Sequence, residues 1–426
     1  MRNGLRALSL AAALVAVQAG AQTIDVHAGR LIDPASAAVL SDQRIRIVDG
    51  RIASVSPWRP SPNDRDIVDW SGFTVLPGLI DLHTHVADGF GQSSDPAEPL
   101  KHGEAETILK GVEAARIMLR AGFTTVRDVG VYRGLTDVAL RDAIARGSIE
   151  GPRMFVAGAY ITIPGGGGSL GGSSPGAPVP AEFRVGEVRT ADEARERVRH
   201  ILASGADFIK LIATGAVLAI GSVPGALELS PAQMKAACDE AKRSGSYCIA
   251  HAHGAEGIKA AIRAGARTIE HASFLDAEGI ALAKAAGVWL DMDVYNGDWI
   301  EEFGTREGWP AEYLRKNRET TDIQRRGFAA AVKAGARISF GTDAGVYPYG
   351  LGGRQFAYMV RHGMTPMQAI QAATSDAAQA LGKAGEVGSL RPGTWGDLVA
   401  VRGDPLKDVT ELEHVDGVIK AGKVIR

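Results

Sequence analysis

Residues 76–86 read LPGLIDLHTHV, an apolar run that ends in two histidines one residue apart, His83 and His85. In an extended chain residues i and i+2 face the same way, so both imidazoles project together from the end of one strand. Burying polar rings requires partners for them. An isolated pair can be satisfied by hydrogen bonds alone, so its meaning depends on whether similar side chains end other strands.

The middle of the chain supplies such strands. GLIDLHTH, FTTVRDVG, RMFVAGAYI, DFIKLIATG, SYCIAHAHG, RTIEHASF, VWLDMDVY and RISFGTDAG are short apolar runs separated by amphipathic segments such as EAETILKGVEAARIMLRAG and SPAQMKAACDEAKRSG. In the latter, Ser230 is placed to cap the helix and Pro231 to occupy its first turn. Eight strand–helix units predict an α/β fold, a (β/α)8 TIM-type barrel, whose chemistry sits at the carboxyl ends of the strands. A doubly wound open sheet is the alternative, but no glycine fingerprint follows the first strand.

Both ends of the chain have a different rhythm. Residues 22–75 and 385–426 consist of short strands and turns, with Asp49-Gly50 between two alternating runs as a hairpin signal. They predict a small discontinuous β-sandwich domain around a barrel spanning residues 76–384. Before them, residues 1–21 carry Arg2 and Arg6, an apolar stretch and Ala19-Gly20-Ala21, the pattern of a cleaved secretory signal. The expected mature protein is exported, periplasmic or secreted, and not held in a membrane.

Composition narrows the function. With 45% apolar residues the chain is globular, and its formal net charge of −2 lacks the basic excess that nucleic acid would need. Two cysteines do not make a disulfide framework; Cys238 in a helix and Cys248 in a strand read as core residues, with a single bridge left open. The segment PGGGGSLGGSSPGAPVP (164–180) has no following Gly-Lys-Ser/Thr and is not a phosphate loop. It either covers a site at the strand ends or lies free.

The other strand ends answer the opening question. AHAHG supplies His251 and His253, IEHAS supplies His271, and FGTDAG supplies Asp343. The remaining histidines (His27, His102, His200, His362 and His414) lie in polar contexts. Imidazoles and a carboxylate converging on one rim are a ligand set for a borderline divalent ion such as Zn2+. Lys210, inside the apolar strand DFIKLIA, would be repelled by a metal as an ammonium, and its plain alternative is to reach for the barrel mouth. Carboxylation of its amine by CO2 converts it into an anion able to bridge two ions.

In these residues the chain resembles the metal-dependent amidohydrolase superfamily, over nearly its whole mature length. The resemblance implies that His83 and His85 bind one metal, carboxylated Lys210 bridges, His251 and His271 hold the second, and Asp343 completes the site. TTVRDVG, KLIATG and AHAHG are similar to the prolidase-like branch, which includes dipeptidases and ochratoxin-hydrolysing amidohydrolases. That implies cleavage of an N-acyl amino acid or dipeptide with release of the C-terminal residue, ochratoxin A among the candidates, and a homo-oligomer. Xaa-Pro or Xaa-Arg dipeptidases, esterases or lactonases, and mononuclear cyclic-amide hydrolases or deaminases are the alternatives; Lys210 argues against the last.

Asp343 is also the expected general base and acid. His253 is expected to meet the oxyanion or the substrate carboxylate, or else to support a ligand. Arg127 could meet a substrate carboxylate, although an ion pair with a neighbour such as Asp128 reads better. Tyr295 and Tyr347 either line a pocket for an aromatic group or merely pack.

Overall fold

Strands at the two ends of the chain share one sheet. The computed structural model describes residues 22–426 apart from 63, 65–66, 89–91 and 171–177, so the expected secretory signal lies outside the described residues. From the N-terminal side come β1 (Thr23–Asp33), β2 (Ala38–Val48), β3 (Arg51–Pro57) and β4 (Ile67–Pro77). The middle contributes β5 (Leu79–Thr84), β6 (Phe123–Asp128), β7 (Arg153–Val156), β8 (Tyr160–Ile161), β9 (Ile209–Ile212), β10 (Cys248–Ala252), β11 (Thr268–His271), β12 (Trp289–Asp291) and β13 (Ile338–Ser339). The chain returns as β14 (Leu398–Val401), β15 (Gly417–Lys420) and β16 (Lys423–Val424).

The terminal strands form one seven-stranded mixed sheet, ordered β16-β15-β14-β4-β1-β2-β3. Hydrogen bonding links all seven in this one order, and a second sheet is not shown by the pairing. The hairpin at Asp49 and Gly50 forms as read, both residues having positive φ (48° and 76°), which the twist of a two-residue hairpin favours. Strand β4 passes straight into β5 through Gly78, whose N–H donates to Asp397 O at 2.8 Å.

All eight middle strands form, and every residue of β5, β6, β9 and β10 is buried. Such all-round burial is what parallel strands covered by helices require. They pair as a three-stranded parallel sheet, β5-β6-β7, and a six-stranded one, β13-β12-β11-β10-β9-β8. The third expected strand is broken by Gly158 (φ 75°) into β7 and β8, one on each sheet. Backbone bonds also tie β5 to the segment around β13: Leu82 N–H to Phe340 O at 2.9 Å and Asp343 N–H to His83 O at 2.8 Å.

The helix Pro231–Arg243 carries the expected cap, Ser230 and Gln233 forming a reciprocal capping box with Pro231 in the first turn. Both cysteines lie in the core as read, and the bridge left open by the sequence is formed. Cys238 on this helix and Cys248 at the start of β10 are bonded as a disulfide, their Cα atoms 5.3 Å apart. Helix and strand are packed together there, which brings both thiols to the same layer of the core.

Candidate active site

The strand ends deliver the expected ligands to one cavity, lined by His83, His85, Lys210, His251, His271 and Asp343 together with His253. Parallel register sets their neighbourhood: Lys210 stands opposite Ile249 of β10, and Ala252 opposite His271 of β11. His271 (φ 64°) and Asp343 (φ 61°) hold left-handed backbone, a conformation that costs non-glycine residues free energy and concentrates at functional sites. Gly345 (φ 123°) lets the loop after β13 pass close by, because a Cβ there would lie 2.8 Å from that of His85.

The imidazoles are oriented by what their outer nitrogens touch. His85 donates Nδ1–H to Gly130 O at 3.2 Å, with Tyr160 Oη 3.0 Å away, which leaves Nε2 facing Asp343 Oδ1 at 3.2 Å. His83 Nε2 lies 3.4 Å from the same oxygen, and its Nδ1 is 3.1 Å from Glu270 Oε2. His271 Nδ1 is 3.0 Å from both oxygens of Asp293, and Gln324 Nε2 donates to Asp293 Oδ1 at 2.8 Å. His251 gives Nε2–H to Gly215 O at 3.2 Å. His253 Nδ1 pairs with Ser273 Oγ at 2.7 Å. Fixing one ring nitrogen in this way selects the tautomer whose other nitrogen can bind a metal.

The donor set fits a metal. Ligand atoms of His83, His271 and Asp343 lie within 4.8 Å of one another, and so do those of His251, His253 and His271. Burial holds His83 and His251 far below the usual imidazole range, as neutral donors, with nearby cationic groups acting in the same direction. Burial opposes ionisation of Asp343, but its bond to His85 and the charges of His271, His85 and Lys210 bring its carboxyl below the ordinary value. Burial lowers the Lys210 ammonium to about 8, against the pull of Glu270.

The weaker expectations fare differently. Arg127 is fully buried beneath the site; its Nε donates to Leu82 O at 2.7 Å and one NH2 to Glu270 at 3.1 and 3.2 Å. That arginine therefore braces β6 against β11 and is not placed for a substrate, and its partner is Glu270 rather than Asp128. Tyr295 and Tyr347 are buried against each other with ring centres 5.1 Å apart, outside the histidine cavity. The described part of the glycine-rich segment reaches the cavity: Gly167 and Gly168 line it, and Gly167 N–H is held by Glu228 Oε2 at 2.8 Å.

Several participants escaped the sequence reading. Asn296 donates to Asp343 Oδ2 at 3.1 Å, and Asp293 and Gln324 fix His271. Asp293 had a visible signal, an acidic residue closing the strand segment WLDMD. Asn296 and Gln324 had none, since each lies on a helix and reaches the site only through packing.

Comparison with known proteins agrees with this geometry. The pattern of the amidohydrolase family matches residues 74–425. The ochratoxinase of Aspergillus niger is 32% identical over 371 residues, covering 83% of this chain and 75% of that protein. A solved Xaa-Pro dipeptidase with methionine bound in its active site is 35% identical, with a TM-score of 0.88 over 95% of this chain and 99% of that one. A prolidase solved with N-methylphosphonate-L-proline is 26% identical, with a TM-score of 0.86 over 95% and 99%. Site, sequence and fold thus lead to one assignment: the chain belongs to the amidohydrolase family, metal-dependent hydrolases, and acts on amide bonds.

Proposed function

We propose that the chain is a binuclear-metal hydrolase that cleaves the amide bond of an N-acyl amino acid or dipeptide and releases the C-terminal amino acid. One observation carries the reading: five imidazoles, Lys210 and Asp343 converge on one cavity whose further lining includes Ile212, Leu218, Ile300 and Val346. The ochratoxinase and prolidase likenesses support this substrate class, and ochratoxin A, which would release phenylalanine, is a candidate.

His83, His85 and Asp343 would hold one ion and His251 and His271 the other. Carboxylated Lys210 would bridge them, its neutral amine adding to CO2 with release of one proton. A buried lysine at this position favours the binuclear site over a mononuclear one. The chemistry that two divalent ions, Zn2+ in our reading, would supply when held there is a lowered pKa for water and Lewis acidity toward the amide carbonyl. Asp343 takes the proton of the attacking water and passes it to the departing amine nitrogen. His253, held through Ser273, meets the oxyanion or the carboxylate of the released residue.

In the same reading, the sheets β5-β6-β7 and β8 to β13 act as one (β/α)8 barrel, a closure supported by the backbone bonds of β5 to the β13 segment and by the shared stretch at Gly158. The protein is exported, which its disulfide suits, since such bonds persist in oxidising compartments. Among the described residues no helix is long and apolar enough to cross a membrane. A homo-oligomer is proposed from the resemblance alone.

The test is a panel of N-acyl amino acids and dipeptides, ochratoxin A included, assayed for amino acid release with added Zn2+. Preference for a bulky apolar or aromatic C-terminal residue is expected. Preference for Pro or Arg would point to an ordinary dipeptidase, and no release from any amide would overturn the proposal.

A further inference from the structure

Beside the histidine cavity lies a second one. The two share His85, Tyr132, Tyr160, Leu218 and Val346, so they meet at a ligand of the site. The second is walled by Trp309, Tyr313, Pro96 and Pro99, with Asp88 and Asp95 also facing it. Trp309 and Tyr313 are each only 4% exposed, with ring centres 6.5 Å apart at 84°. Tyr132 and Tyr160 form a similar edge-to-face pair at 5.3 Å. Trp309 Nε1 is a buried donor with no hydrogen-bond partner among the described residues. A buried N–H in that state has lost water without replacement, and an acceptor on a bound molecule would restore the bond.

On the reading proposed above, a substrate cut beside His85 and Asp343 sends one half to each side of the scissile bond. Charge sorts the halves. The released amino acid carries a carboxylate, and the second cavity offers it no lysine or arginine among its described lining residues, only Asp88 and an Asp95 already paired with Lys101 at 2.6 Å. The first cavity offers His253. The acyl half is therefore left with the aromatic walls, which bind flat uncharged groups well.

We propose that this second cavity is the acyl subsite, that it selects an uncharged aromatic acyl group bearing a hydrogen-bond acceptor and rejects anionic ones, and that the Trp309 indole N–H is the specificity-determining donor. This rests on the amide-hydrolase reading but is tested apart from it.

The experiment holds the amino acid half constant and varies the acyl half: N-acetyl, N-succinyl, N-benzoyl and the three pyridine-carbonyl isomers, which place a ring nitrogen at successive positions. For the wild-type holoenzyme, kcat/KM for benzoyl is expected to exceed acetyl at least tenfold, succinyl to be poorest, and one pyridine isomer to exceed benzoyl. In Trp309→Phe, which keeps a ring but loses the donor, that last excess disappears. Ser93→Trp, at the half-buried rim of the second cavity, lowers the benzoyl-to-acetyl ratio. Unchanged acyl ratios in both variants would overturn the proposal. Binding of benzamide by NMR line broadening provides a reading independent of turnover. It is expected in the wild type and lost in Ser93→Trp, and equal binding by the two refutes the subsite even if no amide is hydrolysed.

Discussion

Lys210 and Arg127 are both buried cations, and their fates diverge because of what surrounds them. Lys210 faces the ligand cluster, so Lys210→Ala is expected to lose the second tightly bound ion by elemental analysis. Its activity should fall at least about 100-fold, the upper end of what even supporting partners of a ligand cost. Arg127 neutralises Glu270 and approaches Asp291 at 3.6 Å. Arg127→Met strands both carboxylates, and denaturant titration should show a loss of about 3–5 kcal/mol, typical of breaking a buried pair. Asp137 gives a pH-dependent case. It is fully buried and pushed up to about 6 by burial, against backbone N–H bonds from Gly158 and Val138 at 2.8 Å. A carboxyl raised above its unfolded value binds its proton more tightly when folded, so the stability it contributes is full below about pH 4 and is lost as pH rises through 6. The stability of the wild type relative to Asp137→Asn should therefore decline between about pH 4 and 6; a rise over that window would contradict the placement. Lys210 was legible beforehand, because a lysine within IKLI is anomalous on its own strand; Arg127 was legible as half of an ion pair but not in its partner, and Asp137 carried no signal. The partner of Arg127 lies 143 positions away, beyond any local pattern.

Elements were easier to read than their connections. Each expected strand of the middle region exists, because runs of buried β-formers between helical segments announce themselves, and the cap of the helix Pro231–Arg243 follows from Ser230, Pro231 and Gln233 alone. The division at Gly158 and the order of the terminal sheet were not legible, since both depend on which strands pair. The disulfide was hidden for the same reason: a separation of 10 residues says nothing until the helix folds back on β10. Replacing Cys238 and Cys248 together with alanine should cost about 2–3 kcal/mol by chemical denaturation, the loop-closure contribution of a short cross-linked loop. Reductant should lower the wild type to a similar level and leave the double variant unmoved.

For the molecule as a whole, the terminal sheet and the histidine-bearing strand form one continuous path. Val399 and Leu398 of β14 stand opposite Leu76 and Pro77 of β4, and Gly78, one step from β5, is bonded to Asp397. The strand that carries His83 and His85 is thus steadied by residues more than 300 positions later in the chain. A chain ending at residue 396 should keep most helices by circular dichroism yet be degraded quickly by protease and take up metal poorly. A stable, metal-loaded truncation would refute the coupling. The order of synthesis then matters. The ribosome makes the paired histidines early and their brace almost last, so a nascent or interrupted chain has no finished cage in which to trap a cation. On the proposed metal-dependent reading, uptake of the ions would wait until translation is complete.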